Sequence, residues 1–217
     1  MGSKKWTFNT SGSAWQIGLA AEFIQQASTS GTVLTRDTYT WAQSSSGNPY
    51  IATKVSVADE ASSNPASAET TQTVDAYGNM TQMVVYPYNN TTTPLQTYNN
   101  TMLTASGYLS NYIRNRVLTT TLTTSAGTKT LAQNYYDGTT EGSQPTPSYS
   151  CSSTYGAYGY GTNPREWDST KEVWFGGEGM LTETVTPALS TCLEYYVWGP
   201  MYSETASDGT SIQASTS

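Results

Sequence analysis

The chain has 217 residues and a formal net charge of −7, with nine Lys and Arg residues against 16 Asp and Glu residues. Binding to nucleic acid or to an anionic lipid surface needs a basic face, so this charge balance argues against both partners. No apolar run approaches the roughly 20 residues of a membrane-spanning helix, and we expect no membrane insertion. The 17 tyrosines and many threonines favour strands, in a composition typical of extracellular or cell-surface β proteins.

The N-terminal part of the chain predicts strands. We interpret residues 1–5, MGSKK, as an N-terminus added for expression. The segment 14–27, AWQIGLAAEFIQQA, fits a 3.6-residue period but also alternates weakly, and we predict a strand. Segments 32–43 and 50–57 alternate on either side of the turn residues 47–49, Gly-Asn-Pro, and predict a hairpin. Residues 58–69 then form a polar connection.

The middle of the chain continues the same pattern. The stretch 71–88, TQTVDAYGNMTQMVVYPY, reads as a strand, a tight turn and a second strand. Residues 88–100 predict a long loop or a sheet edge, and residues 105–118 have room for one helical turn. Two alternating segments around residues 125–127, Ser-Ala-Gly, predict another hairpin. We therefore assign residues 6–137 to a β-hairpin repeat region.

The last third of the chain is less regular. Residues 138–166 are rich in Gly, Ser, Pro and Tyr with little periodicity, and we interpret them as a loop or insert. Residues 167–217 predict further β-hairpin repeats. Cys151 and Cys192 are the two cysteines of the chain; they either form one disulfide, as a secreted protein permits, or remain free thiols.

A short pattern recurs along the chain. A large apolar or aromatic residue stands four positions before a glycine, and a strand with Met or Thr follows. The three occurrences are Val74 with Gly78, Phe175 with Gly179, and Tyr195 with Gly199. The glycine would supply the positive φ angle of a chain reversal, and the next strand would then pair back. We therefore predict an all-β fold of consecutive antiparallel hairpins in a long twisted or curled sheet, with a β-sandwich as the alternative.

The segment VDAYGNMTQ (74–82) resembles the signature of bacterial RHS-repeat, or YD-repeat, proteins, which is Tyr-Asp-x-x-Gly-Asn/Arg. Val74 stands in the Tyr position, and Asp75, Gly78 and Asn79 match. The resemblance extends over roughly residues 17–217. The match to the signature is weaker towards the C-terminus, where Tyr196 occupies the position of the aspartate and Pro200 the position of Asn or Arg.

This resemblance implies a structural role. RHS-repeat proteins are large secreted or surface proteins whose repeats wind into a β shell that can enclose a toxic C-terminal domain. By this resemblance the chain would be a non-enzymatic segment of such a shell in a bacterial secreted or cell-surface protein. The family's self-cleaving aspartate motif is not seen in this sequence.

The sequence offers few residues for chemistry. It contains no histidine, which removes Ser-His-Asp and Cys-His catalysis and standard zinc sites, and we predict no catalytic residue, no metal and no cofactor. Two alternatives to a structural role remain open. A glycoside hydrolase would use paired glutamates from Glu178, Glu183 and Glu194, although the plainer interpretation is that these acids face solvent.

The second alternative is a carbohydrate-binding β module. Sugar rings would stack on exposed aromatic side chains, for which the candidates are Trp174, Tyr196 and Trp198. Asp75, Gly78, Asn79, Gly179 and Gly199 are interpreted as structural turn residues. The residues leave three kinds of partner open, namely glycans, a protein partner, and a second copy paired through sheet edges.

Overall fold

The protein is all-β in a computed structural model of the chain. The structure describes residues 2–29, 31–110, 112–136, 181–195 and 201–213. One short helix, α1, is present in this part of the chain and spans Ser106–Ser110. The strands are β1 (Ser3–Phe8), β2 (Ala20–Gln26), β3 (Val33–Gln43), β4 (Pro49–Ala58), β5 (Ala66–Val74), β6 (Met80–Val85), β7 (Gln96–Met102), β8 (Val117–Thr124), β9 (Gly127–Tyr136), β10 (Leu181–Val185), β11 (Ser190–Tyr195), β12 (Met201–Ala206) and β13 (Ser211–Gln213).

The strands form one antiparallel sheet whose spatial order is the chain order, β1 to β13. Each strand therefore pairs with the strands that precede and follow it in the sequence, as consecutive hairpins require. The predicted all-β fold of consecutive antiparallel hairpins is confirmed. The described strands belong to one sheet rather than to the two sheets of a β-sandwich.

Several predicted boundaries differ from the structure. Only the second half of segment 14–27 is a strand, since turns and bends precede β2 and the amide of Asn9 bonds to the carbonyl of Leu19 at 2.8 Å. The predicted loop or edge at 88–100 ends in β7, which lies inside the strand order and pairs with β6. Its Asn residues look like loop residues by composition, but an Asn side chain can also bond across a ladder, as Asn99 Oδ1 does by accepting from Gln82 Nε2 at 2.9 Å.

Strand β1 begins at Ser3, so residues 3–5 of the segment interpreted as an added N-terminus are paired with β2. The chain divides into two compact units, 1–99 with 122–129, and 100–121 with 130–217. The predicted insert at 138–166 lies outside the described residues.

In the first unit, an arginine joins three segments on one face of the sheet. Arg36 on β3 lies opposite Ile24 of β2, a buried side chain. Its guanidinium donates from Nε to both oxygens of Glu60 at 2.9 Å, and Nη1 bonds to Glu22 on β2. Bonding to Glu60, then to Glu22, raises the pKa of Arg36 above its ordinary value. This pair of carboxylates ties the connection after β4 to strands β2 and β3.

The second unit contains the best-defined core. Leu103, Tyr108, Leu118 and Tyr136 are buried together. Helix α1 carries Tyr108 into this cluster, and the Tyr136 hydroxyl donates to the carbonyl of Val117 at 2.8 Å. A buried tyrosine needs a partner for its hydroxyl, and this bond offsets the cost of removing the hydroxyl of Tyr136 from water.

Candidate functional site

The turn between β5 and β6 is held by the carboxylate of Asp75. Its Oδ1 accepts the amide hydrogens of Tyr77 at 2.8 Å and Asn79 at 2.9 Å. Its Oδ2 accepts a hydrogen from the Asn79 side-chain amide at 2.8 Å. Gly78 completes the reversal with a φ of 88°, in the left-handed region that favours glycine. Both carboxylate oxygens bond within the turn, and this arrangement stabilises the reversal instead of presenting a free acid to a substrate.

Most of the other predicted site residues lie outside the described residues. These are Gly179 and Gly199 of the recurring turn, the proposed binding aromatics Trp174, Tyr196 and Trp198, and Cys151 and Glu178. Their roles stay predictions. Glu194 belongs to β11, where it pairs with Ser203 of β12.

Cys192 lies on β11, is 7% exposed and is disulfide-bonded. Cys151, the other cysteine of the sequence, lies outside the described residues, so the pairing of the two stays a prediction. A disulfide persists in an oxidising compartment and is uncommon in the cytosol.

Glu183 on β10 is fully buried, with 0% of its surface exposed. It pairs across the sheet with Tyr135 on β9 and with Cys192 on β11. The interpretation that the strand glutamates face solvent is therefore wrong for Glu183. Period-two alternation places a residue on one of two faces, but it does not say which face the rest of the chain covers. A glycosidase acid must reach the glycosidic oxygen, and a side chain without exposed surface does not.

The environment of Tyr135 predicts a loss of stability at alkaline pH. Burial first, and the nearby Glu183 second, raise the pKa of Tyr135 above 10.0. Its contribution to stability is fully present below the unfolded value near pH 10 and is lost as the pH rises through the folded pKa, because the unfolded chain ionises first. We expect Tyr135→Phe to flatten the fall in urea-unfolding free energy as the pH rises above the unfolded value near 10.

The matched control for this experiment is Tyr88→Phe, which alters a tyrosine that is 64% exposed. If the unfolding free energy of Tyr135→Phe falls with alkaline pH as steeply as that of the wild type, or if both variants change this slope equally, the raised pKa of Tyr135 is not the cause of the fall.

Three aromatic rings meet in the first unit. We call them the aromatic ladder: Trp6 on β1, Phe23 on β2 and Tyr39 on β3. Trp6 and Phe23 are direct cross-strand partners, with ring centroids 4.5 Å apart and planes at 38°. The rings of Trp6 and Tyr39 have centroids 6.1 Å apart and are nearly parallel, at 12°. Trp6 is nevertheless 50% exposed.

A row of polar groups adjoins the ladder on the same sheet face. Asp37 lies opposite Phe23 on one side and Ser56 on the other. Its Oδ1 accepts a hydrogen bond from Ser56 Oγ at 2.6 Å, and its Oδ2 forms an ion pair with Lys54 Nζ at 3.0 Å. Burial first, and Asp37 second, raise the pKa of Tyr39 above its ordinary value. Aromatic faces, a hydroxyl, a carboxylate and an ammonium group thus lie side by side.

Comparison with protein-family models finds no match to the chain, and neither does comparison with curated proteins. No helix in the part of the chain that the structure describes has the length and apolar character of a membrane span. Within the same ranges, no three or more Cys, Asp or Glu side chains are placed to hold a metal ion.

The aromatic ladder was not predicted from the sequence, in which the candidate aromatics are those of the C-terminal third. Its three members come from different strands and share no local pattern. Only the pairing of β1 with β2 and of β2 with β3 brings them together. One part of this surface could have been predicted from the sequence, because Asp37 and Tyr39 are two residues apart on β3 and therefore lie on one face.

Proposed function

We propose that the chain is a non-enzymatic structural module, a segment of a β wall of the RHS-repeat or YD-repeat type. The observation that carries this proposal is the strand order, in which every described strand pairs with its neighbours in sequence. A fold of this kind grows by adding hairpins, and each hairpin needs only the one before it for pairing. It suits a protein that builds an extended wall.

The turn at 74–79 supports the family assignment. Asp75, Gly78 and Asn79 are the matching positions of the RHS signature, and each has a structural task in the reversal. Asp75 accepts three hydrogen bonds, Asn79 supplies two of the donors, and Gly78 takes the left-handed conformation. If all residues of a signature stabilise a turn, the signature would recur because each repeat needs the same turn.

Localisation and context follow as parts of the same proposal. A disulfide-bonded Cys192 and a low content of charged residues favour a secreted or cell-surface protein. The family resemblance suggests that the protein is bacterial. Enclosing a toxin or contacting other surfaces is the task that the family resemblance suggests. Among the described strands, β1 and β13 stand at the two ends of the sheet, and in a longer array their outer edges would pair with adjoining strands. In isolation they favour self-association, which sedimentation velocity over a range of concentrations would detect.

The absence of catalysis is the testable core of this proposal. We expect the purified chain to show no turnover of chromogenic β-glycosides, soluble xylan, acetyl esters or phosphate esters above a buffer control. Turnover of any of them that is lost in Glu194→Gln or Glu178→Gln would overturn the proposal in favour of a hydrolase. The matched control is Glu69→Gln, a glutamate on β5 that the sequence does not single out.

A further inference from the structure

We propose that the aromatic ladder of Trp6, Phe23 and Tyr39 is a saccharide-binding surface on which pyranose rings stack. This inference goes beyond the structural role proposed above and does not depend on it. It also places binding at the opposite end of the chain from Trp174, Tyr196 and Trp198.

The ladder has the geometry of a platform that is already formed. Trp6 is in contact with Phe23, and its nearly parallel approach to Tyr39 brings rings from β1 and β3 together across β2. Rings that are supported on one side lose little conformational freedom when a ligand arrives. Half of the Trp6 surface remains open to solvent. The apolar C–H face of a pyranose ring is complementary to such a surface.

The adjoining polar row supplies the second requirement, which is hydrogen bonding to hydroxyl groups. Asp37 Oδ1 and Oδ2 face Ser56 and Lys54, so acceptor and donor groups lie beside the rings. The Lys54 side chain is 42% exposed, and its ammonium has three donors, only one of which the ion pair with Asp37 requires. Sugars present hydrogen-bond donors and acceptors around an apolar face. The carboxylate of Asp37 can accept from them, the ammonium of Lys54 can donate to them, and the aromatic rings can pack against the apolar face.

The size and charge of the surface favour a saccharide over other partners. An aromatic side chain buries roughly 150–250 Å² when it is covered completely. Trp6 is half-exposed, and Phe23 and Tyr39 are partly buried, so the ladder offers well under the area of three fully exposed rings. A stable protein complex covers about 800 Å² on each partner. A net charge of −7 disfavours the stacking of nucleic-acid bases, which accompanies phosphate contacts. A neutral ligand with flat apolar faces and hydroxyls fits best.

Affinity electrophoresis in native gels tests the proposal directly, since the acidic chain migrates towards the anode without a carrier. The probes are hydroxyethyl cellulose, arabinoxylan, barley β-glucan and galactomannan, each cast into the gel in a concentration series. We expect at least one of them to retard the wild-type chain. Trp6→Leu and Tyr39→Leu, which keep apolar volume but remove the ring, should weaken that retardation by about tenfold or more, the loss expected for one stacking contact.

The matched control is Tyr88→Leu, which removes an exposed aromatic ring of the same unit that does not belong to the ladder. It should be retarded like the wild type. Circular dichroism melts show whether each variant is folded, and Tyr39→Phe, which keeps the ring, should retain binding if stacking is the cause.

Two results would overturn the proposal. One is a lack of retardation by all four polysaccharides. The other is retardation of the folded Trp6→Leu and Tyr39→Leu variants to the same degree as the wild type. Neither result bears on the structural role, which is tested by the absence of turnover and not by binding.

Discussion

Replacing Leu103 with Ala should lower the free energy of unfolding by about 2–5 kcal/mol. Leu103 is 1% exposed and packs with Tyr108, Leu118 and Tyr136 in the core of the second unit. Removing its terminal carbons forfeits their transfer free energy and leaves a cavity. Two rigid tyrosine rings line that cavity, and they cannot collapse into it without breaking bonds such as that from the Tyr136 hydroxyl to Val117.

Urea denaturation followed by fluorescence and by circular dichroism measures this effect, because two probes show whether the two units unfold together. The matched control is Leu95→Ala. Leu95 is 52% exposed in the connection between β6 and β7, and its replacement should change stability by no more than about 0.5 kcal/mol. Equal effects at positions 95 and 103 would mean that the cluster around Leu103 is not a core.

Replacing Gly78 with Val should cost about 1–3 kcal/mol, because a side chain is then held in the left-handed region. The φ angle of Gly78 is 88°, while the space around it is open enough: a Cβ atom would approach only Asn48, at 3.7 Å. Strain in the backbone, and not a steric clash with neighbours, is therefore the expected cause. Because Val is branched at Cβ, it tolerates this conformation less well than most residues do.

Two further variants separate backbone strain from a general effect of adding a side chain. Gly78→Asn should be much milder, since Asn adopts the left-handed conformation more readily. Gly107→Val changes a glycine in α1 that has ordinary φ and no atom within 4 Å of the added Cβ, and it should be close to neutral. A wild-type unfolding curve for Gly78→Val would contradict the structural interpretation of the turn.

The environments of Asp75 and Glu183 differ in how far the sequence predicts them. Asp75 lies four residues before Asn79 in a turn, so its partners are local and turn chemistry predicts them. Glu183 lies in a strand that reads as half-exposed, and its neighbours Tyr135 and Cys192 come from other strands. Local reasoning could anticipate the first environment and not the second.

The sequence by itself determined the hairpins. Alternation over 32–43 and 50–57, with turn residues between them, predicted β3 and β4, and the Gly78 turn predicted β5 and β6. These features depend on interactions between residues close in the chain, where side-chain period and allowed φ angles act directly. Composition excluded histidine chemistry in the same direct way.

Only the tertiary structure decided which side chains meet. The aromatic ladder exists because β1, β2 and β3 pair in one register, with Trp6 opposite Phe23 and Phe23 opposite Asp37. A shift of one residue in either pairing would send these rings to opposite faces of the sheet. Register is set by the sum of many cross-strand contacts and by bulges such as that after Thr7, so no local segment encodes it alone. The core around Leu103 and the burial of Glu183 depend on long-range packing for the same reason.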